Sequence, residues 1–199
     1  RTLTPEERKE MKHYSRLADA CTPLAKGMGS EYCNQNAYDC IQVHGGSGFM
    51  KDYACERLYR DARIISIYEG TTQLQVVAAI RHVTTGTYMS LIESYAAQEV
   101  RPELQPLKDN LVAMTKTYAE AVEKVTAIKD QAYNDLMARR LVEMAGNIVM
   151  GYLLLLDANR TESFTKSAEV YNKMAQAEVA KHSSFINNFM PEQIEAYKE

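Results

Sequence analysis

Tryptophan is missing from this 199-residue chain and phenylalanine occurs four times, so any aromatic core must be built from its 13 tyrosines. Charge excess is missing too. The 23 basic and 26 acidic side chains leave a net −3, which gives no broad attraction for nucleic acid or anionic membrane. Long apolar runs are scarce. The most apolar one, residues 146–156, is about half of the ~20 residues a membrane span needs and reads as a buried helix. Cysteine is sparse and unpatterned: Cys21, Cys33, Cys40 and Cys55 form no C-x-x-C, and no histidine stands at zinc-finger spacing. They read as reduced thiols, with no metal site assigned. With no secretory signal peptide visible, they point to a cytoplasmic protein. An initiator methionine is also lacking, as in a piece cut from a longer polypeptide.

What is present is globular: 46% hydrophobic and 25% charged residues, with length for one or two domains. Residues 4–20 read as a helix with Thr4 as N-cap, Pro5 at the first position and Glu6 and Glu7 at the positive end of its dipole. Thr22-Pro23 restarts the pattern, and a long helix follows from Leu24 to about Val43. Gln42-Val43-His44-Gly45-Gly46-Ser47-Gly48-Phe49 then stops it. Such a glycine stretch is either a C-cap and turn or a loop whose N–H groups bind an anion such as pyrophosphate. In residues 53–67 the pairs Glu56/Arg60 and Arg57/Asp61 are spaced to meet on a helix surface.

A helical pattern restarts at Leu74 and breaks at residues 84–87, and the domain boundary is placed between about Gly86 and Pro106. Beyond it, Leu107, Leu111, Met114, Tyr118, Ala121, Val125 and Ile128 step by four and three, as do Met137, Leu141, Met144, Ile148, Gly151, Leu155 and Ala158. These are the seams of packed antiparallel helices. A last helix is expected from about Ser163, as N-cap, to Phe185. The fold class is all-α, with a four-helix-type domain over residues 1–90 and an appended bundle over residues 100–199.

The chemistry centres on Ile67-Tyr68-Glu69-Gly70-Thr71-Thr72-Gln73-Leu74-Gln75. One carboxylate sits at a helix entrance in a mostly uncharged setting. Buried there, it would have a raised pKa and could act as a general base. The alternative is a helix-start carboxylate that merely favours the dipole.

Three segments taken together, residues 42–49, Glu56-Arg57-Leu58-Tyr59-Arg60-Asp61-Ala62-Arg63-Ile64, and residues 67–75, resemble the acyl-CoA dehydrogenase family. They follow Q-x-x-G-G-x-G-[YF], E-R-x-x-R-D-A-[RK]-I and I-Y-E-G-T-x-Q-[IL]-Q in order and at family spacing. The resemblance spans roughly residues 5–85. The helices after residue 100 resemble, by pattern, the extra C-terminal bundle of a longer branch. The resemblance implies the C-terminal part of an FAD enzyme that is a dimer or tetramer. Glu69 then falls on the base that removes the α-proton of an acyl-CoA, and Gly70 on the thioester contact. Thr71, Thr72 and Gln73 fall on FAD contacts, and Gln42, Val43, His44, Gly45 and Gly46 on the loop that reaches the FAD of a neighbouring subunit. The implied product is a trans-2-enoyl-CoA, with electrons leaving to an electron-transferring flavoprotein. A non-catalytic helical interaction module and an acyl-CoA oxidase remain as alternatives.

Overall fold

A computed structural model describes residues 3–197. They form eight α-helices joined by turns and short 3-10 segments, without a strand among the described residues. The contacts divide the chain into two units, 1–79 and 80–199, with the division inside one helix. That lies earlier than the 86–106 connection marked from the sequence.

In the first unit, α1 runs unbroken from Pro5 to His44. Thr4 caps it as expected, and a reciprocal bond from Glu7 completes a capping box. The restart expected at Thr22-Pro23 does not occur. Pro23 sits inside the helix, where its ring leaves a carbonyl one turn back without its usual donor. The burial of Ala20, Pro23 and Leu24 holds this stretch together, and the Thr22 hydroxyl bonds the Ala18 carbonyl at 2.7 Å. Gly45, at φ 61° and ψ −147°, ends α1 in a conformation suited to glycine alone. A short helix α2, Gly46–Phe49, and then α3, Cys55–Ile65, fold back onto α1. Gly48 is required by closeness, because a Cβ there would lie 2.6 Å from the His44 Cβ and 2.9 Å from the Ile41 carbonyl oxygen. Neither expected ion pair on α3 closes among the described residues; Arg63 turns instead to the Ser66 hydroxyl. The helix α4, Thr72–Thr84, begins in this unit.

In the second unit, α5 (Thr87–Ala96) packs on α6 (Gln105–Ile128) and α7 (Gln131–Arg160), and α8 (Thr165–Asn188) packs on both α6 and α7. Contacts fix the directions. Asn110 meets Asn172 and Lys124 meets Asn187, so α6 and α8 run the same way. Asn147 meets Tyr171 and Tyr133 reaches Ile186, so α7 runs against α8. The seams read from the sequence lie inside: Leu111, Met114, Tyr118, Ala121 and Val125 on α6, and all seven α7 positions, are buried. Helix α7 is long and apolar enough to cross a membrane, but 72% of its most apolar window is buried within the protein, as befits a bundle's central helix. Ser163 is not the N-cap of the last helix. It lies in a 3-10 turn, Glu162–Phe164, and α8 starts after it without a side-chain cap.

Candidate functional site

The turn between α3 and α4 carries Glu69. As α3 ends, the Ile67 and Tyr68 N–H groups both donate to the Ile64 carbonyl, at 2.9 and 3.0 Å. The Thr72 N–H then reaches back to the Ser66 carbonyl at 3.2 Å and closes the turn into a ring. Inside that ring Glu69 takes φ 52° and Gly70 φ 92°. A left-handed conformation is natural for Gly70 but costs of order 1–3 kcal/mol at a residue with a side chain, and it persists only where the surroundings hold it. Those surroundings are specific. The Lys26 ammonium donates to the Ile65 carbonyl and lies 5.3 Å from the centre of the Tyr68 ring. Gln75 donates its amide to the Gly70 carbonyl at 3.3 Å, and the Thr71 hydroxyl oxygen accepts the Leu74 N–H as the cap of α4.

The Glu69 side chain itself is exposed. Neither its carboxylate nor its N–H has a hydrogen-bond partner among the described residues. The burial expected around this carboxylate is therefore not supplied by residues 3–197. The motif places the residue, whereas a lid or wall over it requires other polypeptide.

The candidate flavin contacts fall into two places that the structure does not bring into one cavity. Gln42, Val43, His44, Gly45 and Gly46 are exposed at the end of α1 and the start of α2, and Thr71, Thr72 and Gln73 begin α4. As donors and acceptors on an open surface they fit one edge of a nucleotide cofactor. Thr71 keeps its hydroxyl hydrogen available. Thr72 already donates its own to Glu31 at 2.7 Å, which leaves only its lone pairs. The His44 ring is turned back along α1, with Nδ1 2.9 Å from the Cys40 carbonyl.

Sequence reading missed a groove of about 1200 Å³ on the first unit. Tyr38, Ile41, Phe49, Met50, Tyr59 and Ile64 form its apolar wall, and Gln42 and Ile67 also line it, beside the two candidate segments. The available signal was the number of large apolar side chains in α1–α3 that the helical stripes leave unpartnered. Also missed was the approach of Cys40, His44 and Cys55, three residues from two helices.

Comparison with known proteins bears on this arrangement. The family model described as "Acyl-CoA dehydrogenase, C-terminal domain" matches residues 7–84, and that described as "Acyl-CoA dehydrogenase C terminal" matches residues 84–194, more than half of the chain. The chain belongs to the acyl-CoA dehydrogenase family. The two matches meet at the end of α4.

Among its relatives, a broad-specificity linear acyl-CoA dehydrogenase of Mycobacterium tuberculosis is 27% identical over 198 residues, covering 88% of this chain and 32% of that protein. The caffeyl-CoA reductase–Etf complex subunit CarC of Acetobacterium woodii is 50% identical over 52 residues, 26% of this chain and 14% of that one. A crystal structure of an acyl-CoA dehydrogenase family protein from Porphyromonas gingivalis is 50% identical with a TM-score of 0.55, covering 57% of this chain and 99% of that one. An acyl-CoA dehydrogenase from Bacillus anthracis complexed with FAD shares the fold, with a TM-score of 0.68 at 22% identity over 82% of this chain. The chain spans 14% to 32% of the length of the two curated relatives named.

Proposed function

We infer that this chain serves as the C-terminal part of an FAD-dependent acyl-CoA dehydrogenase, with Glu69 as the base that takes the α-proton of an acyl-CoA thioester. The observation that carries the reading is the backbone of Glu69, a non-glycine residue held at φ 52° by a tied turn in a chain of this family. Strain maintained against its cost marks a position where direction matters more than stability. The α-carbon acid is weak, so its base must be aimed and its carbonyl polarised.

The residues divide that work. The Glu69 carboxylate projects from the turn and takes the proton. Its own N–H, without an acceptor among the described residues, is free to donate to the thioester oxygen. Gly70, lacking a side chain, lets the thioester lie against the backbone. Thr71, Thr72 and Gln73 at the start of α4, and residues 42–46 at the end of α1, would hold the flavin. A bound FAD would supply the two-electron acceptor for the hydride leaving the β-carbon. Cover over the exposed carboxylate would come from polypeptide outside this chain or from a second subunit, in a dimer or tetramer, and the electrons would pass to an electron-transferring flavoprotein.

The caffeyl-CoA reductase relative favours a second reading, in which the same proton and hydride transfers run toward the saturated thioester. One experiment separates these outcomes. The full-length protein carrying this chain is purified and its flavin spectrum followed while acyl-CoAs and enoyl-CoAs are added without oxygen. Bleaching by an acyl-CoA, abolished by Glu69→Gln with FAD retained, supports dehydrogenation. Reoxidation of reduced flavin by an enoyl-CoA supports reduction. Peroxide formation on admitting air points to an oxidase, and a flavin-free protein overturns the enzymatic reading in favour of a binding module.

A further inference from the structure

Near the end of α1, Cys40 and His44 stand one helical turn apart on the same side of the helix. Helix α3 begins with Cys55. The fold-back of α2, made possible by Gly45 and Gly48, brings that first residue against the last turn of α1. The two sulfurs lie 3.6 Å apart, the Cys40 Sγ is 3.9 Å from His44 Nδ1, and all three atoms fall within 4.8 Å of one another.

We propose that Cys40, His44 and Cys55 form a binding site for a single Zn²⁺-class cation, with the fourth position open to water. The geometry suits that ion. Four-coordinate zinc with Zn–S bonds of about 2.3 Å separates two thiolates by about 3.8 Å, and a thiolate from an imidazole nitrogen by about 3.6 Å. The sulfur–sulfur and Cys40–His44 separations require shifts of only a few tenths of an ångström, and the Cys55–His44 one, within 4.8 Å, closes by at most about 1.2 Å through a turn of the exposed imidazole. The ligand set, two thiols and an imidazole, selects zinc or cuprous ion over magnesium or calcium.

The site has a closed and an open side. Cys55 is buried at 5% exposure, Cys40 is half-buried, and His44 is exposed, so a metal enters from solvent past the imidazole. Binding displaces two thiol protons and exchanges the His44 Nδ1 bond to the Cys40 carbonyl for the metal. Burial pushes the Cys55 thiol up, toward its protonated form, and the neighbouring Cys40 pushes it further. A dication inverts that preference. Bound there, the metal ties the last turn of α1 to the first turn of α3 and fixes the connection between them. The site shares His44 with the proposed flavin contacts, so metal uptake, not flavin chemistry, is what tests it.

The test uses the full chain, stripped of metal and kept reduced. It is titrated with Zn²⁺ against a chromophoric chelator and, separately, with Co²⁺. The expected result is one metal per chain and, with Co²⁺, a thiolate charge-transfer band with tetrahedral visible bands. His44→Ala, at an exposed position that leaves the fold intact, lowers zinc affinity at least tenfold, and Cys55→Ser abolishes the charge-transfer band. Cys33→Ser leaves both unchanged. Sub-stoichiometric uptake, a Co²⁺ spectrum without thiolate character, affinity unmoved by His44→Ala, or a Cys40–Cys55 disulfide formed in the presence of excess zinc would each overturn the site.

Discussion

The two units of this chain are built from the same kind of helix but close differently. In the second, the interior holds whole large side chains: Tyr88, Tyr118, Tyr133, Tyr152, Ile92, Leu111, Leu141 and Ile148 are each at most 1% exposed. In the first, the buried set is mostly small: Ala20, Ser30, Gly48, Cys55, Ala62 and Ser66, with Leu24 among the few large members. Its large side chains, among them Tyr38, Phe49, Met50, Tyr59, Ile64 and Ile67, stand exposed. Burying an aliphatic side chain is worth about 1.5–3 kcal/mol relative to exposure, so the second unit draws far more from its large side chains than the first. The half that carries the Glu69–Gly70 turn is thus the half whose large apolar side chains stand uncovered.

Substitutions can break this contrast. The largest effect is expected at the centre of α7. Ile148→Ala leaves a cavity among packed helices and should cost about 2–5 kcal/mol in chemical denaturation. Ile64→Ala, on the uncovered face, should change stability by no more than about 0.5 kcal/mol. Equal losses at the two positions would erase the distinction between the units.

Next comes Gly48→Ala in the first unit. Its Cβ would meet the His44 Cβ and the Ile41 backbone of α1, neither of them the far end of a movable side chain, so a loss of about 1–3 kcal/mol is expected. Circular dichroism melts would show it, together with loosened packing between α2 and α1. An unchanged melt would mean that α2 is not held where it lies.

The third concerns charge in the second unit. His182 Nε2 lies 2.9 Å from Glu143 Oε2, and Arg139 bonds the other carboxylate oxygen at 2.7 Å. Burial pushes the Glu143 carboxyl up, but His182 and Arg139 together outweigh it and hold the pKa down to about 2, against an ordinary 4.5. A depressed carboxylate contributes stability above its unfolded value and loses it as pH falls through the folded one. Wild type should therefore exceed Glu143→Gln by about 1–2 kcal/mol at neutral pH, with the gap closing between about pH 4.5 and pH 2. A gap that stays constant across that window would show that the Glu143 charge does not carry the stability, and coincident curves would show that the cluster contributes nothing.

The smallest effect sharpens the contrast most. Glu69→Gly removes the side chain from a left-handed position, and should raise stability by up to about 1 kcal/mol while eliminating the proposed base. A thermal melt reads the first and flavin bleaching in the full-length protein the second. A destabilised variant would mean that the turn is not strained and would weaken the argument for Glu69.

Much of the second unit was legible because its signal is local. Large apolar residues recurring every three or four positions place one face of a helix inward wherever that helix packs, and the α6 and α7 seams are found buried accordingly. Caps were legible only in part. Thr4, followed at the third position by glutamate, is a complete local device, whereas Ser163 was drawn into a 3-10 turn that the packing of α7 and α8 imposes. Pro23 was misleading because a proline's cost in a helix is local while the burial that offsets it is not. The exposure of Glu69 was invisible to composition, since an uncharged neighbourhood along the chain says nothing about what covers it in space.

By itself, then, the sequence determined the helical class, the seams of the bundle, and the place of Glu69 at a helix entrance. These depend on residue spacing within one or two turns of helix. Tertiary structure alone decided that α1 runs through Pro23, that the first unit leaves an apolar groove open, and that Cys40, His44 and Cys55 meet. Such outcomes depend on where a chain reverses direction, and one glycine at φ 61° and another with no room for a Cβ set that reversal.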